Sequence, residues 1–356
     1  MEVKGRGTAL NPSGRFEPLQ LEVDAYVHDD PTVLEGEERP LPRTQFFVDS
    51  SRTALTRNNS PDVGFSASVN PYRGCEHGCI YCYARPTHEY LGLSAGFDFE
   101  SKIFVKQDAP ELLREKMMSK SWKPEAVNLS GVTDCYQPVE RKLRITRGCL
   151  EVLGEFRNPF TIITKNHLVT RDIDVMKPMA EIKACAVFIS VTTLDAKLAE
   201  VMEPRTSRPE FRLKAIEALA KAGIEVGVMV APIVPGLTDH EMPTILEAVA
   251  NAGAKHAGFV PLRLPYGLGE LFEEWLVRNF PDRKDKVLNR VRELRGGKLN
   301  DPNFGSRMRG AGVFAEQLRS MFQLYTRKNG LNQTELELSI EHFKRPSPHG
   351  QLDLGI

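Results

Sequence analysis

From about residue 65 onward, short apolar runs alternate with amphipathic stretches. The runs are FSASVNPY (65–72), EAVNLSG (125–131), PFTIIT (159–164), KACAVFISV (183–191), IEVGVMVAPI (224–233) and AKHAGFVPL (254–262). They are short, rich in β-branched residues and mostly free of charge, as expected of strands buried on both faces. Between them lie helical patterns. APELLREKMMS follows Asp108, a candidate helix cap, and TRGCLEVLGEF covers 146–156. FRLKAIEALAKAG (211–223) and HEMPTILEAVANAG (240–253) end on Gly223 and Gly253, which suit left-handed C-terminal caps. A strand followed by a helix, repeated six times, predicts a parallel sheet. Six repeats fall short of an eight-fold barrel. The expected fold is therefore α/β, a partial (β/α)6 TIM-like barrel, with ligand-binding residues on the loops just after the strand C-termini. No internal sequence repeat is present.

The flanks differ from this core. Residues 1–64 are rich in Pro, Gly, Arg and acids, with 11 Asp+Glu against 7 Lys+Arg and little periodicity. They predict an irregular N-terminal arm lying on something else. Residues 65–265 form the expected barrel, and 266–356 a helical C-terminal extension, with a helix at Gly312–Tyr325 and a polar tail. Within the extension, 283–309 holds 9 basic residues against 3 acids, a net +6. Arginines beside Gly296-Gly297 and Gly305-Ser306 could grip phosphates there, or form a solvated helix face.

Bulk composition narrows the function classes. The 356 residues are 41% hydrophobic and 26% charged, ordinary for a globular protein. Forty-seven basic residues balance 47 acidic ones, so nucleic-acid binding, if present, is local rather than a general coat. The longest apolar run, around Val226 to Val234, is too short to span a bilayer and contains Pro232. The start, MEVKGRGTALNPSGRF, lacks the apolar core of a signal peptide. The expectation is a cytoplasmic protein without a membrane, where thiols stay reduced and clustered cysteines mean metal or chemistry. Nothing in the sequence sets an oligomeric state.

Such a cluster follows the first strand, in RGCEHGCIYCYARP (Arg73–Pro86). Cys75, Cys79 and Cys82 are spaced C-x3-C-x2-C. Thiolates so spaced can wrap one face of an iron–sulfur cube and bind three of its irons, leaving the fourth for a substrate or cofactor. The alternative is a zinc-stabilised binding module without redox chemistry, with His77 or His88 as fourth ligand. Cys149, in a helical pattern, and Cys185, in a strand pattern, are expected core residues.

The segment C-E-H-G-C-I-Y-C, with the aromatic Tyr81 just before the last cysteine, fits the radical S-adenosylmethionine signature. The chain resembles that superfamily, and within it the spore photoproduct lyase-like (DNA repair photolyase-like) branch. The resemblance runs from about Asn70 to Leu262 through NPYRGCEHGCIYCYARP, LSGVTDCYQPVE, TKN, ISVTTLD and MEPRTSRP. It implies a [4Fe-4S] cluster whose fourth iron is chelated by the amino and carboxylate groups of S-adenosylmethionine. It also implies reductive cleavage of that cofactor to a 5′-deoxyadenosyl radical, hydrogen abstraction from a substrate, and a flavodoxin- or ferredoxin-like electron donor. Nucleic acid is the leading substrate class by analogy with the branch; the alternative is an enzyme modifying RNA or protein.

The resemblance also assigns side chains. Lys165, after the TIIT strand, suits the methionine carboxylate, although a surface lysine is equally compatible with its place. Ser190 and Thr192 end the fourth strand and suit the ribose hydroxyls, or cap local backbone. Thr133 and Asp134 follow the second strand, where the family binds the cofactor amino group; a turn or cap is the other reading. Tyr81 offers a face for adenine, and Tyr83 faces either cofactor or core. Glu203, Arg205 and Arg208 in EPRTSRP line the cofactor side or form a solvated cluster. Spore photoproduct lyases carry a hydrogen-donating cysteine at the end of the second strand, where this chain has Gly131. The nearest thiol, Cys135, is the candidate donor here, or a small residue in the turn before Pro138.

Overall fold

The computed structural model describes residues 5–8, 10–16 and 43–346. Residues 1–4, 9 and 17–42 of the expected arm and 347–356 of the polar tail lie outside the described residues. Ten strands occur in chain order: β1 (Gln45–Val48), β2 (Leu55–Arg57), β3 (Ala67–Val69), β4 (Tyr72–Arg73), β5 (Lys102–Val105), β6 (Val127–Leu129), β7 (Phe160–Thr164), β8 (Cys185–Ser190), β9 (Glu225–Ile233) and β10 (His256–Pro261). The main helices are α1 (Phe97–Ser101), α2 (Ala109–Met118), α3 (Glu140–Leu143), α4 (Ile145–Glu155), α5 (Ile173–Glu181), α6 (Ala196–Met202), α7 (Pro209–Lys221), α8 (Met242–Asn251), α9 (Leu268–Asn279), α10 (Lys284–Leu294), α11 (Ser306–Arg309) and α12 (Gly312–Lys328).

All six expected strands fall in one seven-stranded sheet of order β10-β9-β8-β7-β6-β3-β2. The first six are mutually parallel, with β2 added antiparallel to β3 at the edge. Helices between consecutive strands give the repeated crossover that a parallel sheet requires. The order of the six parallel strands follows the chain, so each of their C-termini, and the loop after it, lies along one rim. That is the arrangement expected of a partial (β/α)6 barrel.

Apolar residues from both faces account for this layout. Leu129, Ile162, Val187, Ile189, Val226 and Val228 are fully buried, and Leu150, Leu153, Ile216, Leu219, Ile245 and Val249 face them from α4, α7 and α8. Gly223 and Gly253 have φ of +80° and +102° just past α7 and α8, so both C-terminal caps occur as expected. Asp108 does stand before α2, but its side chain makes no capping bond; the helix opens instead with Pro110 in its first turn. α1, α3, α5 and α6 escaped the sequence pattern. α5 carries Pro178 inside it, and α6 has only seven residues, entered through Asp195, whose carboxylate accepts from Lys197 N (2.8 Å) and Leu198 N (3.3 Å).

A second, small sheet of order β1-β5-β4 was not anticipated. It joins the segment before the barrel to the segment after the cysteine loop. The C-terminal extension is not a loose appendage. α9 and α10 bury Leu268, Leu271, Phe272, Trp275, Leu276, Val287, Leu288 and Val291 in a cluster that includes Cys79, Ile80 and Tyr81. α12 packs on α8 and β10, with Phe322 and Phe259 rings 4.7 Å apart. Among the described residues no helix is long and apolar enough to cross a membrane.

Because Leu150 is fully buried between α4 and the sheet, Leu150→Ala should destabilise the chain by about 2–5 kcal/mol. Urea unfolding followed by far-UV circular dichroism measures this as a lower midpoint; an unchanged midpoint would contradict the packing described.

Candidate active site

The cysteine loop runs from Gly74, at the end of β4, to Ala84. It is buried yet neither helix nor strand, so its backbone groups need partners from elsewhere. Cys75 N–H donates to Phe99 O (2.9 Å) and Ile80 N–H to Met202 O (3.1 Å). Gln137 serves both ends of one turn, accepting from Glu76 N (2.9 Å) and donating to Gly74 O (3.2 Å). The Arg85 guanidinium donates to Cys79 O (3.0 Å), Gly78 O (3.1 Å) and Gly96 O (2.8 Å). It also pairs with Glu100 at 3.0 Å, and both side chains are fully buried.

The described N-terminal arm completes this shell. Glu100 accepts from Gly7 N (2.9 Å) and Thr8 N (3.2 Å). A Cβ on Gly7 would stand 1.8 Å from Gly78 O, so only glycine lets the two backbones meet. Gly78 itself has φ +65°, and a Cβ there would meet Glu100 Oε2 at 2.3 Å. Glu76 accepts from Val139 N (2.8 Å) at the start of α3 and pairs with Arg205 at 3.0 Å.

The loop thus presents three buried or half-buried thiols. Burial pushes all three upward, with the nearby charges of Asp134 on Cys75 and Glu203 on Cys79 adding to it. Lys165 acts in the opposite sense on Cys79 and Cys82, so its cation faces the loop, 5.8 Å above the Tyr81 ring. Among the described residues, no three or more His, Cys, Asp or Glu side chains converge where a single ion would sit. The histidines considered as a zinc ligand point elsewhere. His77 Nδ1 lies 3.3 Å from Asp134 and its Nε2 3.3 Å from Asn166 Nδ2. His88 Nε2 lies 2.9 Å from Lys102 O, and its ring packs edge-on against Phe99. Burial holds the His88 ring neutral, at about 4.

Several residues expected to touch a cofactor make hydrogen bonds that hold the rim. Thr133 donates its hydroxyl to Tyr72 O (2.9 Å). Asp134 accepts from Thr164 Oγ1 (2.7 Å), Tyr136 N (2.8 Å) and Lys165 N (2.8 Å), besides facing His77. Burial alone would raise its carboxyl; the His77 ring and these hydrogen bonds outweigh that and hold it at about 2. With both oxygens engaged, Asp134 ties the second and third strand ends to the cysteine loop. Thr192 donates to Glu203 (2.7 Å) and is fully buried. Tyr81 donates its hydroxyl to the same carboxylate, and Arg212 pairs with it while bonding Ser190 O (3.0 Å) and Ser207 O (2.8 Å). Glu203 is therefore a buried hub, not part of a solvated cluster; of that loop only Arg208 is exposed.

Lys165 and Ser190 remain available. The Ser190 hydroxyl makes no hydrogen bond among the described residues, and both lie at strand C-termini. Tyr83 is half-exposed beside Cys82 and donates its hydroxyl to Gly131 O. The Cys135 thiol is fully buried in the main core, near Tyr72, Glu140 and Ser130. Two arginines of the basic stretch are engaged within the chain: Arg295 donates to Pro261 O (2.7 Å), Leu262 O (3.0 Å) and Arg307 O (2.7 Å), and Arg307 pairs with Asp62 at 2.5 Å, tying the extension to the end of β10 and to the segment before β3. Arg85, Glu100, Gln137 and Arg212 were not foreseen. Their signal was faint: charged or amide residues in segments otherwise apolar.

The family model for the radical SAM superfamily matches residues 69–249. The uncharacterized protein Rv2578c of Mycobacterium tuberculosis (strain ATCC 25618 / H37Rv) is 35% identical over 254 residues, covering 70% of this chain and 74% of that protein. The uncharacterized protein MJ0683 of Methanocaldococcus jannaschii is 28% identical over 223 residues, 63% and 80% of the two chains. Among solved structures, spore photoproduct lyase complexed with a dinucleoside spore photoproduct superimposes with a TM-score of 0.59 over 80% of each chain, at 17% identity, a likeness of fold.

The Asp134 carboxyl falls from an unfolded value of about 3.9 to about 2. A lowered folded value stabilises the chain above the unfolded pKa, and that contribution is lost as pH drops through the folded one. Asp134→Asn should therefore cost stability at pH 6, on the order of 2 kcal/mol, with the gap from the natural chain closing between about pH 4 and 2. Thermal melts across that range measure it; a gap independent of pH would contradict the assigned bonds.

Proposed function

Because the chain belongs to the radical S-adenosylmethionine superfamily, an enzyme family that uses a [4Fe-4S] cluster and S-adenosylmethionine, we propose that Cys75, Cys79 and Cys82 hold three irons of that cluster. The observation carrying this reading is the loop itself: three thiols within eight residues on one largely buried turn, whose backbone is held by hydrogen bonds to neighbouring segments, with the Lys165 cation acting on two of them. Those donors fit a cube bound at three corners. When bound, the cluster and S-adenosylmethionine supply one-electron cleavage of the sulfonium and a radical able to take hydrogen from a substrate.

The chain's own side chains have separate tasks. Lys165 pairs with the cofactor carboxylate, and the Ser190 hydroxyl meets its ribose. Tyr81 shapes the wall beside them. Thr133, Asp134 and Thr192 keep the strand ends in register behind those groups. Residues 65–265 form the catalytic core, and the extensions close it: the N-terminal arm over Gly78, and α9 against Cys79 and Tyr81. Exclusion of water is the service such a closed site provides.

A nucleic acid is the substrate this reading favours. One protein of the same fold has been solved with a dinucleoside photoproduct, and the rim carries exposed aromatic rings paired with arginines. The reductant is a flavodoxin- or ferredoxin-like protein, and thiols that must stay reduced suit the cytoplasm.

Prepared without oxygen and loaded with iron and sulfide, the chain should turn brown and bind about four irons. With dithionite and S-adenosylmethionine it should release 5′-deoxyadenosine, measured by chromatography. Cys75→Ala should abolish both cluster and product. A colourless protein holding one zinc would overturn the proposal. Cys135→Ala should leave 5′-deoxyadenosine formation and the product pattern unchanged, since the thiol is enclosed in the core; new by-products would restore it as a donor.

A further inference from the structure

Arg263 stands two residues past β10, the last strand of the sheet, on the rim that also carries the cysteine loop. It is partly buried, and among the described residues its guanidinium makes no hydrogen bond and no ion pair. Its neighbours are a ring and other charges. The cation lies 5.0 Å over the Tyr83 ring, and Arg307, Asp62 and Arg295 are close enough to act on it. Every other arginine in this corner is committed: Arg307 to Asp62, and Arg295 to backbone carbonyls. A half-buried guanidinium whose neighbouring carboxylate, Asp62, is already paired with Arg307 is unfavourable unless a further anion arrives.

The surroundings say what kind of anion. Tyr83, directly after Cys82, is 50% exposed, Phe304 59% and Tyr266 65%. Each ring has a guanidinium near one face: Arg263 on Tyr83, Arg307 on Phe304 at 4.4 Å, and Arg15 on Tyr266 at 3.6 Å. Large exposed rings are costly to leave in water unless something covers them. Flat rings alternating with guanidinium groups are what a single strand of bases and phosphates matches: bases stack on open ring faces while phosphates meet the cation. An acidic peptide would satisfy Arg263 but would not cover three rings.

We propose that Arg263, Tyr83, Phe304 and Tyr266 form a single-stranded nucleic-acid site at the barrel rim, with Arg263 gripping a phosphodiester next to the nucleotide presented to the cysteine loop. The proposal rests on the nucleic-acid reading above, and names the residues that would carry it. It also relocates the anion contact from the 283–309 stretch, whose Arg295 and Arg307 are structural, to one residue outside it.

Fluorescence anisotropy tests it, using the full chain without reductant or S-adenosylmethionine and a labelled 12-nucleotide single strand, in DNA and RNA arms. The absence of radical chemistry keeps the result separate from 5′-deoxyadenosine formation, so either reading can fail alone. The natural chain should bind at least one of the strands. Arg263→Ala should weaken binding five- to ten-fold and lower the slope of log affinity against log salt by about 0.7, the share of one phosphate on a single strand. Arg263→Lys should restore the slope. Phe304→Ala should weaken binding at least five-fold with the slope unchanged, as stacking does. The proposal is overturned if neither strand binds, if polyglutamate of equal charge binds as tightly, or if Arg263→Ala and Phe304→Ala both bind as the natural chain does. Circular dichroism of each variant shows that a loss is not unfolding.

Discussion

A loop that lies inside a protein without being helix or strand must find a partner for each of its backbone groups, and this requirement shapes the structure around Cys75, Cys79 and Cys82. Each N–H or C=O left unmet in such a place costs about 1–3 kcal/mol. The chain meets the demand with the adjacent Arg85, held in turn by Glu100, with Gln137 from farther along the sequence, and with the backbone carbonyls of Phe99 and Met202. A buried ion pair such as Arg85–Glu100 is weak as a source of stability, because both charges must be stripped of water. Its value is geometric. The fork of the guanidinium fixes the carbonyls of Gly78 and Cys79, and the carboxylate fixes the arm at Gly7 and Thr8. The backbone that carries the three thiols is thereby held in one conformation.

The same logic divides the rim into residues that hold and residues that present. Asp134 binds the second and third strand ends to the loop, while Glu203 gathers Tyr81, Thr192 and Arg212 beneath the fourth. Both carboxylates remain ionised despite burial because cations and N–H donors surround them. Against that fixed background Lys165 and Ser190 keep free heads at strand ends, and Tyr83 and Arg263 keep an open face toward solvent. Preorganised walls around a few free groups are what a reactive intermediate needs, since misplacement wastes it on neighbouring bonds.

The sheet was legible because its strands are buried on both faces, which writes continuous β-branched runs such as FTIIT and CAVFIS into the chain. The helices at 209–221 and 242–251 were legible through their apolar stripes and terminal glycines. The cysteine spacing was legible because metal ligands must be close in sequence when one loop supplies them. The small sheet was not: β1 is exposed at all four positions and β4 has two residues, so neither carries a pattern. Nor was the shell around the loop, since Glu100 meets Gly7 across 93 residues and long-range pairs leave no local signal. The hydrogen bonds of Thr133, Asp134 and Thr192 were not legible either, because a hydroxyl or carboxylate after a strand can face a ligand or the backbone, and its partners here come from other segments. The burial of Cys135 in the core likewise left no local signal.

The central claim is that three thiols leave one corner of a cluster open to a sulfonium cofactor. Electron–nuclear double resonance on the reduced, cluster-loaded chain with S-adenosylmethionine labelled with ¹⁷O in its carboxylate tests that contact itself. A coupling between label and cluster, absent when the cofactor is omitted, is the predicted result. A cluster signal with no coupling from the label, at saturating cofactor, would contradict the account.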